Sequence, residues 1–247
     1  LGKKSKIMSQ IAFVSGASGL IGIQLLHQLF KNDAIDWVVS FGRRELAFKH
    51  QKLVQVKVDF EQLDKVNLEE EIRKQNMGGD KQSLLKDINE AATSIIAFCA
   101  LGTTIKKAGS KENFYRIDHD YVLEFARMTI RLGAKRFLYV SAIGADAQSS
   151  IQYNSVKGEV EDGLKRMDFG YVGLFQPSIL LGERNESRPG EEIGKVVMKF
   201  VTFFGLFRKY KPIYDHQVAK AMVQKALNLK LTGNETITSS EMHKMTK

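Results

Sequence analysis

Tyr153 and Lys157 stand four residues apart in "QYNSVKGEVE". On a helix that spacing puts both side chains on one face. An ammonium beside a phenol favours the phenolate, so such a tyrosine can give or take a proton near neutral pH. The lysine also has donors to spare for a ribose hydroxyl. A wet helix surface carries such pairs too, so the meaning of this one depends on its setting. A third group normally polarises the substrate oxygen. Ser141, closing the apolar run "KRFLYVS", is the first candidate, with Ser149 and Ser150 next in the chain.

The second chemical signal is "VSGASGLIG", residues 14–22. Gly16, Gly19 and Gly22 follow an apolar run and open a stretch with helical spacing. Gly16 suits a tight turn, Gly19 a close approach to a pyrophosphate, and Gly22 a close helix–strand contact. The first turn, with Leu20 and Ile21, offers amides without helical partners and the positive end of a helix dipole; Ser18 adds a hydroxyl. After the second apolar run comes "FGRR" rather than a carboxylate. Arg43 and Arg44 there suit the 2′-phosphate of NADP(H), with NAD(H) the alternative. Asp59 and Phe60 end the third run, where a carboxylate can accept from an adenine amino group or cap a helix. Leu101 and Gly102, ending the fourth run, suit a cofactor wall, as does Pro177 at the end of the sixth. Cys99 reads as a small buried hydrophobe.

These groups need a scaffold that brings them to one edge. Apolar runs at 11–14, 37–42, 52–59, 94–102, 135–141 and 170–177 read as strands. Between them lie helical patterns, including "LIGIQLLHQLFKN", "SVKGEVEDGLKRM" and a long helix over 113–133 with Ile117, Tyr121 and Phe125 four apart. Residues 61–91 read as two surface helices about a break at "NMGGDK". The alternation predicts an α/β fold, a Rossmann-like doubly wound parallel sheet. One domain over residues 8–247 is expected, with 183–247 contributing a small C-terminal substrate lobe. "DHQVAKAMVQKAL" is a helix of that lobe. "FVTFFGLF" followed by "RKYK" suits a lid, a homodimer surface or a peripheral membrane contact. Trp37 is expected near the adenosine end.

Composition narrows the classes. With 247 residues, 43% of them apolar, the chain can bury a core, and its single cysteine forms no internal disulfide. No cysteine or histidine cluster suggests a metal. The formal charge of +9 comes from scattered lysines without a nucleic-acid-binding pattern, so a solvated surface and no nucleic-acid partner are expected. No apolar run reaches a membrane span, and the segment before the glycines lacks a secretory core. A cytoplasmic protein acting on a small molecule is the expectation.

The glycine pattern and the Tyr153/Lys157 pair resemble the short-chain dehydrogenase/reductases of the atypical, epimerase-like branch. "VDFEQLD", "CALGTTIKKAG", "RIDHDYVLEFA", "KGEVE" and "QPSILLGERNESRPGE" make the chain more similar still to the TIP30 (HTATIP2) oxidoreductase family, from about residue 10 to 225. That resemblance implies a Rossmann sheet holding NADPH and hydride transfer to or from a carbonyl or alcohol carbon. It makes Tyr153 the general acid in reduction and the base in oxidation. Lys157 tunes Tyr153 and holds the nicotinamide ribose, and Arg43 and Arg44 read the 2′-phosphate. Two positions depart from the family: Ser141–Ala142 replaces a serine pair, and Gln176 replaces an arginine before Pro177. Ala142 has no hydroxyl to polarise a substrate. Two alternatives therefore stand beside the oxidoreductase: an NADPH-binding regulatory or scaffold protein with vestigial catalysis, and a sugar-nucleotide epimerase-like enzyme.

Overall fold

In the computed structural model, residues 9–74, 80–89, 93–182 and 211–247 are described. Six strands lie where the apolar runs place them: β1 (Gln10–Ser15), β2 (Trp37–Gly42), β3 (Leu53–Lys57), β4 (Ser94–Cys99), β5 (Arg136–Val140) and β6 (Tyr171–Gln176). Two residue pairs, β7 (Leu180–Leu181) and β8 (Ile213–Tyr214), form a separate small ladder, and β9 spans Gly233–Thr238. The main sheet runs β3-β2-β1-β4-β5-β6-β9 with parallel pairing throughout. The order reverses between β1 and β4, and ligands of open α/β sheets bind outside the carboxyl ends at such a point.

Helices cover both faces: α1 (Leu20–Phe30), α2 (Leu68–Lys74), α3 (Asp80–Asn89), α4 (Ile105–Ala108), α5 (Lys111–Tyr115), α6 (Tyr121–Arg131), α7 (Gln152–Lys165), α8 (Asp215–Leu227) and α9 (Ser239–Met245). The five inner strands are buried on both sides, so they read as continuous apolar runs. Within β1 the alternation still assigns sides. Ile11 and Phe13 face the layer containing Phe125 and Val160, and Ala12 and Val14 face the layer containing Leu25 and Met222. Phe13, Phe41 and Phe125 stack edge to face at 5.3 and 5.7 Å.

Several expectations are revised. The long helix over 113–133 forms from Lys111 to Arg131, but Arg116–Asp120 is a π-helical turn joining α5 to α6. The wider turn shifts the buried line to Phe114, Asp118, Val122 and Phe125, leaving Ile117 and Tyr121 half-buried. Trp37 opens β2 at the sheet's amino edge, where its indole donates to Asp87 at 3.2 Å. It therefore lies a strand's length from Arg43 and is no adenosine reporter.

Of the expected lobe, residues 183–210 lie outside the described residues, and with them nearly all of the apolar-then-basic segment 196–211. The rest builds on the main sheet: α8 packs its buried Val218, Met222 and Val223 in the layer of α1, and β9 extends β6. Among the described residues no helix is long and apolar enough to cross a membrane.

The turn from β1 to α1 is set by backbone packed on backbone. Gly16 has φ +76°, and a Cβ there would stand 2.4 Å from the Ala100 carbonyl. A Cβ on Gly22 would stand 2.1 Å from the Gly16 oxygen. Alanine is the better helix former by about 1 kcal/mol, yet Gly22→Ala has no room. We expect it to destabilise the protein by about 1–3 kcal/mol, read as a lower urea midpoint. A raised midpoint would contradict the close packing.

Candidate active site

The site is assembled from three strand ends. After β1, the chain turns through Gly16, whose carbonyl accepts the Gly19 amide at 2.9 Å. Gly19 then caps α1 with no side chain of its own. The first-turn amides of Leu20 and Ile21 have no acceptor within the helix, and both residues line a cavity. After β4, residues Ala100–Thr103 form the opposite wall. After β5, the chain loops from Ser141 to Ile151 and enters α7. Gly158 allows that loop to lie on the helix, since a Cβ would stand 2.1 Å from the Ala147 nitrogen.

Two cavities, about 440 and 560 Å³, share a wall made of Ser18, Gly19, Ala100–Thr103 and Lys107. The first holds Leu20, Ile21, Ser141, Tyr153, Lys157 and Asp118. The second holds Gly16 and, toward β2, Arg43, Arg116 and Tyr121. The proposed acid–base pair and an arginine thus lie in adjoining cavities, on either side of the glycine turn. The glycine cradle, which a Cβ would fill, the open first-turn amides and two adjoining cavities with common lining residues fit a dinucleotide.

Lys157 is 3% exposed and points inward. Its Nζ donates to the Tyr139 hydroxyl at 2.9 Å and lies 3.0 Å from the Asp118 carboxylate. Burial alone disfavours the ammonium, but Tyr139, Asp118 and Tyr153 more than offset this, and its pKa stands well above the ordinary lysine value. Burial pushes the Tyr139 phenol up, so it stays neutral, and the countercharge is the Asp118 carboxylate. Tyr153 stacks on Phe114 with ring centroids 5.8 Å apart.

The remaining candidates divide. Ser141 lines the cavity, but its hydroxyl donates to the buried Glu161 at 2.5 Å, and Gln176 donates to the same oxygen at 2.9 Å. Its hydroxyl is thus directed at Glu161 rather than into the cavity. Ser149 and Ser150 line neither cavity. Arg43 lines the second cavity and Arg44 lines neither, although both are exposed.

Asp59 is a helix cap: it accepts from the Glu61 amide at 3.0 Å and from Gln62 at 3.4 Å, outside both cavities. Phe60 is buried against Tyr121, with rings 5.3 Å apart. Gly22 is buried behind the turn. Pro177 is buried and holds the loop after β5 through its carbonyl, which accepts from Ile143 at 3.0 Å. Burial pushes the Cys99 thiol up to about 11, which leaves it an inert core group. Asp118 and Tyr139, both central to the lysine, are absent from the sequence reading. Each sits inside a regular element pattern that reads as packing.

Comparison with known proteins agrees with this arrangement. The model of the "NAD dependent epimerase/dehydratase family" matches residues 12–162. Protein HTATIP2 of Rattus norvegicus is 36% identical over 193 residues, 77% of this chain and 71% of that protein. Protein FMP52, mitochondrial, of Candida albicans is 31% identical over 222 residues, 87% of this chain and 89% of that protein. The fold resembles the Bordetella bronchiseptica enzyme WbmG in complex with NAD, with a TM-score of 0.62 at 11% identity, covering 97% of this chain and 76% of that one.

The FMP52 relatives are named as mitochondrial proteins, which overturns the expectation of a cytoplasmic one. A single buried cysteine and an unremarkable composition do not separate one reducing compartment from another. Matched by that family over well more than half its length, and carrying the glycine turn and the Tyr153–Lys157 pair on one cleft, the chain belongs to the NAD dependent epimerase/dehydratase family as an NAD(P)-binding enzyme of oxidoreductase or epimerase type.

Proposed function

We propose that the protein is an NADPH-preferring oxidoreductase that reduces a carbonyl group of a small substrate, or oxidises the matching alcohol. The observation that carries this reading is the shared wall. One glycine-built surface joins a cavity with Tyr153 and Lys157 to a cavity with Arg43. When bound, the nicotinamide supplies or takes up the hydride at the substrate carbon.

The chain's own residues do the rest. The Leu20 and Ile21 amides meet the pyrophosphate at the positive end of α1. The Leu101–Gly102 backbone lies along the cofactor. Arg43 faces the 2′-phosphate, while Arg116 in the same cavity is already shared with Glu61 at 3.4 Å. Tyr153 passes its hydroxyl proton to the carbonyl oxygen during reduction, and takes the alcohol proton during oxidation. Lys157 beside it stabilises the phenolate so formed and offers donors to the ribose.

The engagement of Ser141 by Glu161, with Ala142 next to it, favours a second reading. In it, the protein binds NADPH and catalyses weakly, as a cofactor-responsive regulatory or scaffold protein. Turnover separates the two.

Against a panel of aldehydes and ketones, we expect Tyr153→Phe to lower kcat/KM by about 10²–10⁴-fold while nicotinamide fluorescence reports NADPH binding little changed. Equal turnover by wild type and variant would remove Tyr153 from the chemistry. A saturating NADPH complex with no turnover would favour the regulatory reading. Arg43→Ala is expected to weaken NADPH binding by roughly 10–100-fold, the worth of a charge-assisted contact, and to leave NADH nearly unaffected. Arg44→Ala should change either much less. Equal losses for both cofactors would overturn the 2′-phosphate assignment.

A further inference from the structure

Asp118 has no part in the chemistry above, yet it is fully buried, and carboxylates are rarely buried unless a partner requires it. It lies in the π-helical turn Arg116–Asp120, and such turns concentrate at functional sites. Its two oxygens hold different things. Oδ2 accepts the Thr103 amide at 2.7 Å, on the wall shared by the two cavities. Oδ1 lies 3.0 Å from the Lys157 Nζ, off the line of a hydrogen bond, and has no hydrogen-bond partner among the described residues. A Cβ on Gly102 would stand 3.4 Å from Oδ1 and 3.6 Å from Nζ, so loop, carboxylate and ammonium are in contact.

We propose that Asp118 is the positioning residue of this site: its buried carboxylate ties the cofactor-lining loop at Thr103 to the Lys157 ammonium and supplies the countercharge that keeps that ammonium charged inside the protein. The groups facing Nζ are Tyr139 from β5, Tyr153 from α7, Cys99 from β4 and Asp118 itself. Burial holds the Cys99 thiol and the Tyr139 phenol protonated, and Tyr153 is the proton donor of the proposed function. Asp118 is thus the standing negative charge. A buried ammonium without one sheds its proton readily, because desolvation penalises its charged form. The same side chain also fixes where the ammonium sits relative to the loop on which the cofactor rests. The catalytic consequence rests on the oxidoreductase reading; the countercharge role does not.

The test is a pH titration of the lysine side chains by NMR on protein carrying ¹³C-lysine, with Lys157 assigned from Lys157→Arg. In the wild type we expect no Lys157 titration below the ordinary lysine value of about 10.4. In Asp118→Asn the midpoint should fall by more than about one pH unit, a tenfold change in the proton equilibrium. Asp118→Glu should restore most of it. A wild-type Lys157 that titrates at or below the ordinary value overturns the proposal without any variant, as does an Asp118→Asn midpoint equal to wild type. Where turnover is measurable, the high-pH fall of kcat/KM should begin earlier in Asp118→Asn by the same interval. A uniform loss at every pH, with Lys157 unmoved, would mark a purely structural role and overturn the proposal. If neither NADPH binding nor turnover is found, the oxidoreductase reading fails, and the titration still decides the role of Asp118.

Discussion

The architecture turns on a contact between pieces of backbone. At the point where the strand order reverses, Gly16 lies against the Ala100 carbonyl and Gly22 lies against the Gly16 oxygen. No side chain could occupy either place without pushing α1 from β1, or β1's turn from the loop after β4. Because both glycines lack one, the first turn of α1 is delivered to the sheet's carboxyl edge with its free amides facing outward. The common wall of the two cavities adjoins this junction and includes Ala100.

The charges are arranged around the same junction. The protein buries a full ammonium, Lys157, and accepts the desolvation penalty by burying a carboxylate against it. That carboxylate also takes an amide from the loop beside the junction, so the position of the ammonium and the path of the loop are one problem with one solution. The other buried carboxylate near the cavity, Glu161, is satisfied by Ser141 and Gln176 instead. Tyr153 and Lys157 line the same cavity as Asp118 and Ser141 and carry the proton transfer in the proposed function.

Much of this was legible in the residues because it is local. Gly16, Gly19 and Gly22 act through a tight turn within one strand–helix unit, and Tyr153 and Lys157 through one helical turn, so spacing alone brings them together. The five inner strands were legible because both of their faces are buried, and β3, at one edge, through its alternation. The seventh, Gly233–Thr238, was not: it lies at the sheet edge, and Ile237 is its one fully buried residue. Asp118 escaped because its neighbours are 15 and 39 positions away in sequence, and because a π-helical turn breaks the period by which a helix face is read. Ser141 was located correctly, but its proton goes to Glu161, a partner 20 residues downstream. Asp59 offered cap and ligand readings with equal force until Glu61 and Gln62 were seen to fold back on it. Compartment was never in the residues considered, since reducing environments share a composition.

The central claim is that one continuous cleft, built on the glycine junction, holds a nicotinamide dinucleotide. Hydrogen–deuterium exchange of the whole protein, with and without saturating NADPH, tests it most directly. The account predicts slowed exchange in two separated segments at once, residues 16–23 after β1 and residues 100–104 after β4, with little change at the amino edge around Trp37. Protection confined to one of these segments, or none in a folded protein at saturating NADPH, would contradict it.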